Sequence, residues 1–485
     1  MKEKSVGKNA VLNMLKTVVT LIFPLLTFPY ISRVLQVENL GKVNFANSVV
    51  NYFVLFATLG LKTYGIREGA TVRNDREKFQ KFFSEVFTLT IISTGLSLFV
   101  LAILCTVVRS LQNYRLLILL LSVSVILPTF GCEWICSAYE DYGYITVRSI
   151  LVQIISFVLI FALIHKPDDY YVYAMILVFS SQGANIFNLL YVRKYVKFRV
   201  TKNINLHTHL RPMMVLFAST LATSVYVSSS TTVLGLVCGD YYTGIYSAAA
   251  KLYSVMKNLV SAIVVVSIPR FAFYYNNNKR DEYNSLLNQI SNTLALLVIP
   301  AATGVFLLSK EIILLISGSE YVAASSTLSI LAIAVIFVGI SWIMSQCILI
   351  PMKKEQIVLK TTLITAVLNV VLNIFLVGRW KHNAAAVTTL ISEAVVVLIY
   401  YYYVRKEVKI QGLLREIIKS FISSCAMGVV IVFGRNINVT LIIKLPVLIT
   451  ISVLVYGSVL FILKDKYLLE YIHMVREKLA NKIRT

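Results

Sequence analysis

Apolar stretches long enough to cross a bilayer recur from residue 9 to residue 463, and most segments between them are too short to fold alone. A spanning helix takes roughly 20 mainly apolar residues, so about fourteen of them consume nearly all of such a chain. The candidate spans are 9–33, 43–61, 83–108, 115–137, 145–165, 170–192, 212–236, 243–269, 285–309, 325–350, 357–377, 384–404, 414–434 and 441–463. Hydrocarbon offers backbone groups no water, which leaves helices as the way to satisfy them over runs of this length. The expected fold is therefore an all-α polytopic membrane protein. With no extramembrane domain, its work lies in the membrane, and moving something across it is the simplest form of that work.

Charge sets the orientation. The net charge of +23 invites a nucleic-acid reading, but its distribution argues for topology. With the N-terminus placed in the cytoplasm, the inner loops carry several-fold more Lys and Arg than the outer ones, the positive-inside bias. The clusters run Arg67 to Lys81, Arg193 to Arg211, Arg405 to Lys419 and Lys464 to Arg484. They leave contact with anionic membrane lipids as an addition. An even helix count returns the C-terminus to the cytoplasm. The first span is too long for a cleavable signal, contains Lys16 and Pro24, and lacks a small-residue cleavage site. Cys105, Cys132, Cys136, Cys238, Cys347 and Cys425 are scattered singly through the spans and read as small core residues, with no disulfide or metal site implied.

The basic linker 193–211 suggests a division into an N-terminal six-helix lobe (1–200), a second six-helix lobe (201–410), and a terminal helix pair with a basic tail (411–485). Two lobes of equal helix count are characteristic of repeat-built transporters, whose path lies at the repeat interface. Gly41 and Ala46 open the second span much as Gly244 and Ala249 open the eighth.

Polar residues recur at helical spacing. The first span carries Asn9, Asn13, Lys16 and Thr20; the eighth carries Ser247, Lys251, Ser254 and Asn258. Both follow a 4, 3, 4 spacing and so lie along one helix face. The second span adds Asn44, Asn47, Ser48 and Asn51, the seventh a run from Thr220 to Thr232, and the eleventh Thr362, Thr365, Asn369 and Asn373. Such residues singly bond across helix contacts; as a set they suggest a hydrated cavity. A Lys at mid-bilayer costs about 2.5–3.5 kcal/mol on insertion scales, so Lys16, Lys251 and Lys257 should face water or an anion unless they snorkel to the surface. A cationic cavity suits a phosphate or diphosphate cargo. Glu133 and Glu393 are acids inside spans, candidates either for coupling an ion (H⁺ or Na⁺) or for a structural ion pair. Pro24 and Pro29 are expected to interrupt the first helix, and Arg67 stands where an inner mouth would receive phosphate.

Several strings carry a family likeness. They are Phe28-Pro29-Tyr30-Ile31-Ser32-Arg33-Val34-Leu35, Gly41, and Leu59-Gly60 through Glu68; then Glu133-Trp134, Ala138 to Tyr142 and Tyr144 to Ile150. Leu234-Gly235, Gly239-Asp240, Gly244, Tyr246-Ser247, Ala250-Lys251 and Pro269-Arg270 follow, with Ile348 to Pro351, Lys354-Glu355, Ala384-Ala385 and Thr389 to Glu393. In order and spacing the chain resembles the bacterial polysaccharide repeat-unit flippases. These are the O-antigen and capsule exporters of the multidrug/oligosaccharidyl-lipid/polysaccharide superfamily. The resemblance implies two helical lobes around a cationic cavity and a cargo of undecaprenyl-diphosphate-linked oligosaccharide moved from inner to outer leaflet of the bacterial cytoplasmic membrane. It also implies ion-gradient drive, no cofactor, and a polysaccharide polymerase and glycosyltransferases as partners; the default state is a monomer. Arg33, Arg67, Glu133, Arg148, Lys251, Arg270 and Glu393 match family motif positions. Relatives carry an acid before the seventh-helix Leu-Gly, where this chain has Ser228-Ser229-Ser230.

The expected substrate-binding set is Lys16, Arg33, Arg67, Lys251, Lys257, Arg270, Asn13, Asn47, Asn51 and Asn258, with Glu133 and Glu393 for the coupling ion. The alternatives are a lipid II or sporulation-type flippase and a multidrug/cation antiporter of the same superfamily. A membrane polymerase or ligase would need a large outer loop with catalytic groups, and none of the outer loops holds such a constellation.

Overall fold

A computed structural model describes residues 6–405, 407, 413–437, 439–465 and 469, with side chains from residue 11 and, in the helix beginning at 413, from residue 416. The side chain of Asn9 and most of the basic tail beyond Lys464 lie outside these residues. All regular structure among the described residues is helical. Eleven helices are long and apolar enough to cross a membrane, or twelve if the pair Pro167–Gln182 and Ala184–Lys194, bent by 45°, forms one span. Large apolar side chains lie bare on their outer faces (Ile462 is 74% exposed and Phe375 73%). Soluble proteins rarely leave such surface to water. This is a multi-pass membrane protein.

The chain forms two compact units, Met1–Gly244 and Ile245–Thr485. In the first, α1 (Val6–Thr58) is the axis. Around it come α2 (Leu61–Val72), α3 (Arg76–Val107), α4 (Arg109–Gln112), α5 (Arg115–Gly131) and α6 (Glu133–Ala138), then α7 (Tyr142–Leu163), α8 (Tyr170–Gln182), α9 (Ala184–Tyr191) and α10 (Leu206–Val237). Helix α1 packs against α3, α5, α7 and α10, and α2 packs against α3 and α6. The helix α11 (Asp240–Val265) begins at the end of this unit and leads into the second. The second unit continues with α12 (Ile268–Asn276), α13 (Arg280–Leu307), α14 (Ser309–Ile316), α15 (Ala324–Trp342), α16 (Glu355–Val404), α17 (Leu413–Gly434) and α18 (Leu441–Ile462). There α15 packs on α13 and α16, and α17 joins α13 to α18. The seventh span, α10, thus groups with the first unit through its contact with α1, although helix counting from the linker would give it to the second lobe.

The breaks in these helices differ from expectation. Pro24 and Pro29 lie inside α1 without a non-helical residue at either; the break falls at Gln36 (φ 63°, ψ 175°). Proline's fixed φ is compatible with a helix, and neighbouring groups can take up the freed carbonyl in a membrane bundle. A similar break at Lys381 (φ 52°, ψ −131°) divides the 50-residue α16. At Gly60 (φ 72°) the chain turns from α1 into α2, and a Cβ there would stand 2.8 Å from the Phe217 nitrogen. Only glycine meets both demands.

Helix starts follow local chemistry. Asp75 accepts hydrogen bonds from the Glu77 and Lys78 amides to cap α3, and Asn205 caps α10 through the Thr208 amide. Irregular chain is shorter than the predicted 193–211, because α10 already begins at Leu206. It runs beside α3, where Gln80 donates to the Lys197 carbonyl and accepts from its amide. Burial and a hydrogen bond to Asp141 push the Tyr195 phenol up at the start of this stretch.

Close approach is sharpest where α1 meets the start of α11. A Cβ on Gly41 would lie 1.9 Å from the Asp240 carbonyl oxygen, and one on Gly244 would lie 2.1 Å from that of Val37. Small residues let membrane helices approach to backbone contact, the main source of their association. Gly41→Ala should therefore lower the thermal unfolding midpoint in detergent, through an overpacking penalty of about 1–3 kcal/mol. Gly95→Ala, with nothing within 4 Å of its added methyl, should leave the midpoint unchanged or raise it.

Candidate functional site

The site forms around Glu133. Helix α5 ends at Cys132, whose left-handed backbone (φ 43°) redirects the chain so that Glu133 opens α6. A non-glycine residue in that region stores strain, held by the surrounding packing. Here Cys132, Trp134, Ile135 and Cys136 are all buried in one core cluster with Phe79, Phe83 and Tyr64.

Three cations converge on this carboxylate from three helices. Arg148 of α7 meets Oε2 at 2.8 Å. Lys16 of α1 and Lys62 of α2 reach Oε1 at 3.2 and 3.8 Å. Arg148 is only 3% exposed; its guanidinium also bonds to the Asn188 carbonyl oxygen and lies 5.4 Å from the Tyr144 ring. Lys62 is largely exposed, while Lys16 and Glu133 are each 24% exposed. A lone carboxylate or a lone arginine would be strongly disfavoured here, so each holds the other in place. With three cations against one acid the group keeps excess positive charge.

The cluster opens into a cavity of about 640 Å³ in the first unit. Lys16, Lys62 and Glu133 line one part; Thr20, Gln153 and Asn185 supply neutral hydrogen-bonding groups, and Phe23, Trp134 and Phe217 an apolar wall. Such a surface can hold an anion at one end and hydroxyl-rich or apolar groups at the other.

In the second unit Glu393 is buried and paired. It accepts from Tyr253 at 3.1 Å and bridges to Lys257 at 3.3 Å, whose ammonium lies 5.2 Å from the Tyr253 ring. Lys251, one and a half turns earlier, is half-buried and makes no hydrogen bond or ion pair among the described residues.

Of the expected binding residues, then, the structure brings Lys16 to the cavity beside Glu133, and Lys257 to Glu393. Asn13, Arg33, Asn51, Asn258 and Arg270 are exposed, Asn47 is half-buried, and Arg67 pairs with neighbouring Glu68 at 2.9 Å. In the polar stripe of the eleventh span, Thr365, Asn369 and Asn373 are buried. Asn369 and Asn373 are 1% and 0% exposed, bonded to Ser392 and Thr388 within α16. These side chains bond across the two halves of α16 on either side of the Lys381 break. The binding set expected from the sequence omits Arg148, which enters there only as a matching motif position, and Lys62. Arg148 stands inside an apolar span, the same signal that singles out the lysines. Lys62 follows the end of its span directly and so looks like a loop cation.

The fold and the cavity define a multi-pass helical membrane protein with a charged internal chamber. The chain belongs to the polysaccharide biosynthesis protein family, whose pattern matches residues 6–274. It is 23% identical to the "Putative O-antigen transporter" of Shigella dysenteriae, over 75% of this chain and 90% of the relative. The "Probable low-salt glycan biosynthesis flippase Agl15" of Haloferax volcanii is 26% identical over 47% of this chain and 48% of its own. Among solved structures, the fold is similar to "Lipid II flippase MurJ, inward closed conformation". The TM-score is 0.71 at 16% identity, covering 94% of this chain and 99% of that one.

Arg148→Ala should destabilise the protein by about 3–5 kcal/mol, because it removes the buried partner of Glu133 Oε2 and the charged donor to Asn188. Lys62→Ala, removing a mostly exposed partner, should change stability by no more than about 0.5 kcal/mol. Thermal unfolding of the two variants in detergent distinguishes them.

Proposed function

We propose that this protein is a flippase that carries undecaprenyl-diphosphate-linked oligosaccharide from the cytoplasmic to the outer leaflet of a bacterial cytoplasmic membrane, for surface polysaccharide synthesis. The observation that carries the reading is the cavity whose one lining acid, Glu133, is outnumbered by cations. Family membership and the transporter and flippase names of the relatives support it. The same charge balance disfavours a cation antiporter, which needs uncompensated acid in its chamber.

In this reading the diphosphate meets Lys16 and Lys62, which exchange part of their bond to Glu133 for charge-assisted bonds to phosphate oxygens. Arg148, buried and doubly held, keeps the carboxylate in place while they do so. Gln153, Asn185 and Thr20 offer bonds to sugar hydroxyls. Lys251, in the second unit, is a separate cation able to meet an anion during transport, supported by its lack of a partner among the described residues. An ion gradient supplies the drive, and the enzymes that build and polymerise the repeat unit are its working partners. Fourteen spans with both termini cytoplasmic fit the long helices, since α1 and α16 each hold two spans on either side of a break.

The test is translocation of a fluorescent undecaprenyl-diphosphate oligosaccharide in proteoliposomes. Wild type should flip it, while Lys16→Ala and Lys251→Ala should each reduce the rate about tenfold or more, the loss of one charge-assisted contact. Full activity in both variants would remove the cationic-site mechanism; no activity in folded wild type would remove the cargo.

A further inference from the structure

Both acids singled out for ion coupling are held by cations, which leaves the uptake of an ion to some other buried group. One stands apart. Glu85 of α3 is 6% exposed and pairs with no lysine or arginine among the described residues. Its Oε2 lies 2.9 Å from His209 Nε2, and it also accepts from the Asn205 amide at 3.3 Å. The other ring nitrogen of His209, Nδ1, is 2.7 Å from the Tyr64 hydroxyl of α2. His209 and Tyr64 are 7% and 3% exposed, packed against the Phe82 ring. The capping of α10 by Asn205 sets this arrangement, because it fixes the first turn that carries His209.

We infer that Glu85, His209 and Tyr64 form a proton-binding site that couples proton uptake to movement of the cargo. The inference rests on the flippase reading for what is coupled, not for the site itself. A neutral imidazole donates from Nε2 to the carboxylate and accepts a hydrogen bond from the Tyr64 hydroxyl at Nδ1. An arriving proton binds Nδ1, which then donates to the Tyr64 oxygen as that hydroxyl turns, and Glu85 balances the new charge. Each ring nitrogen of His209 keeps a partner in both states, Nε2 with Glu85 and Nδ1 with the Tyr64 oxygen, so the core can hold either. No covalent bond changes and one proton is gained.

The site also stands between two openings. Glu85 lines a cleft of about 870 Å³ with Arg76, Lys81, Lys197 and Arg199. On the other side, Leu61, Thr63 and Trp134 line the cavity of Glu133, and Tyr64 follows Thr63 on α2. Helix α2 also carries Lys62, which bridges to Glu133. A change in the Tyr64 bond is therefore transmitted along one short helix to a cation of the cavity. The charged groups acting on Tyr64 are Arg67 and Glu68 of its own helix and Glu85 of α3; His207 and Arg211, on the helix of His209, are exposed. Arg67 is engaged with Glu68, with its guanidinium 6.0 Å from the Tyr64 ring.

Two measurements on the full chain decide it. The first is NMR of ¹³C-labelled histidine in detergent over the pH range in which imidazoles titrate, with His209→Gln identifying the resonance. The His209 signal should titrate, and Tyr64→Phe should shift its midpoint; a His209 signal that does not change with pH overturns the proposal. The second is the proteoliposome flipping rate over the same range. Wild type should change several-fold with pH, and His209→Gln should retain flipping with that dependence lost. Wild-type pH dependence surviving in both His209→Gln and Tyr64→Phe overturns it. A titrating His209 in a protein that flips nothing would leave the proton site standing and remove the flippase reading.

Discussion

The Arg148–Glu133 bond is the interaction on which the first unit depends. Both partners lie where water is scarce, and neither charge would be tolerable alone. Their contact fixes α7 against α6. Lys16 and Lys62, reaching the same carboxylate, bring α1 and α2 to it. Thr146, two residues before Arg148, adds a hydrogen bond to the Leu12 carbonyl and ties α7 to α1 independently. A structural ion pair and a ligand-ready cationic surface are thus the same object. The buried arginine supplies rigidity, and the two more accessible lysines supply charge that can be lent to a bound anion.

Backbone geometry makes this arrangement reachable. Gly60 turns the chain so that α2 presents Lys62 towards α6. Cys132 breaks α5 one residue before Glu133. Each break sits at the edge of the cluster of Tyr64, Phe79, Phe83 and Trp134, whose packing holds the unusual dihedrals. The same cluster contains Tyr64, whose hydroxyl meets His209, the partner of Glu85. Aromatic packing at one end of this unit therefore supports both the charged cavity and the buried imidazole.

Much of this is legible in the amino-acid sequence. Spanning-length runs of apolar residues announce membrane helices because bilayer thickness is nearly constant, and the spacing of Lys16 and Thr20 correctly puts both on one face, which forms a cavity wall. The breaks are harder to read. Pro24 and Pro29 look like the interruption of α1, yet Gln36, an ordinary residue by composition, bears it. Pairing is the least legible property. Whether Asn369 faces water or Ser392, and whether Glu133 stands alone or beside Arg148, depends on which helices meet, information that spacing within one helix does not contain. His209 is hard to single out because it sits in a basic segment that reads as linker, where a histidine looks solvated.

If the excess positive charge around Glu133 is a binding site for a lipid diphosphate, the lipid head alone should bind there. The direct measurement is equilibrium binding of undecaprenyl diphosphate, without sugar, to the purified protein in nanodiscs, wild type against the Lys16→Ala/Lys62→Ala double variant. Binding should weaken about tenfold or more through loss of two charge-assisted contacts, and the difference should shrink at high salt as wild-type affinity falls. Equal affinity in the two proteins would contradict the cationic site.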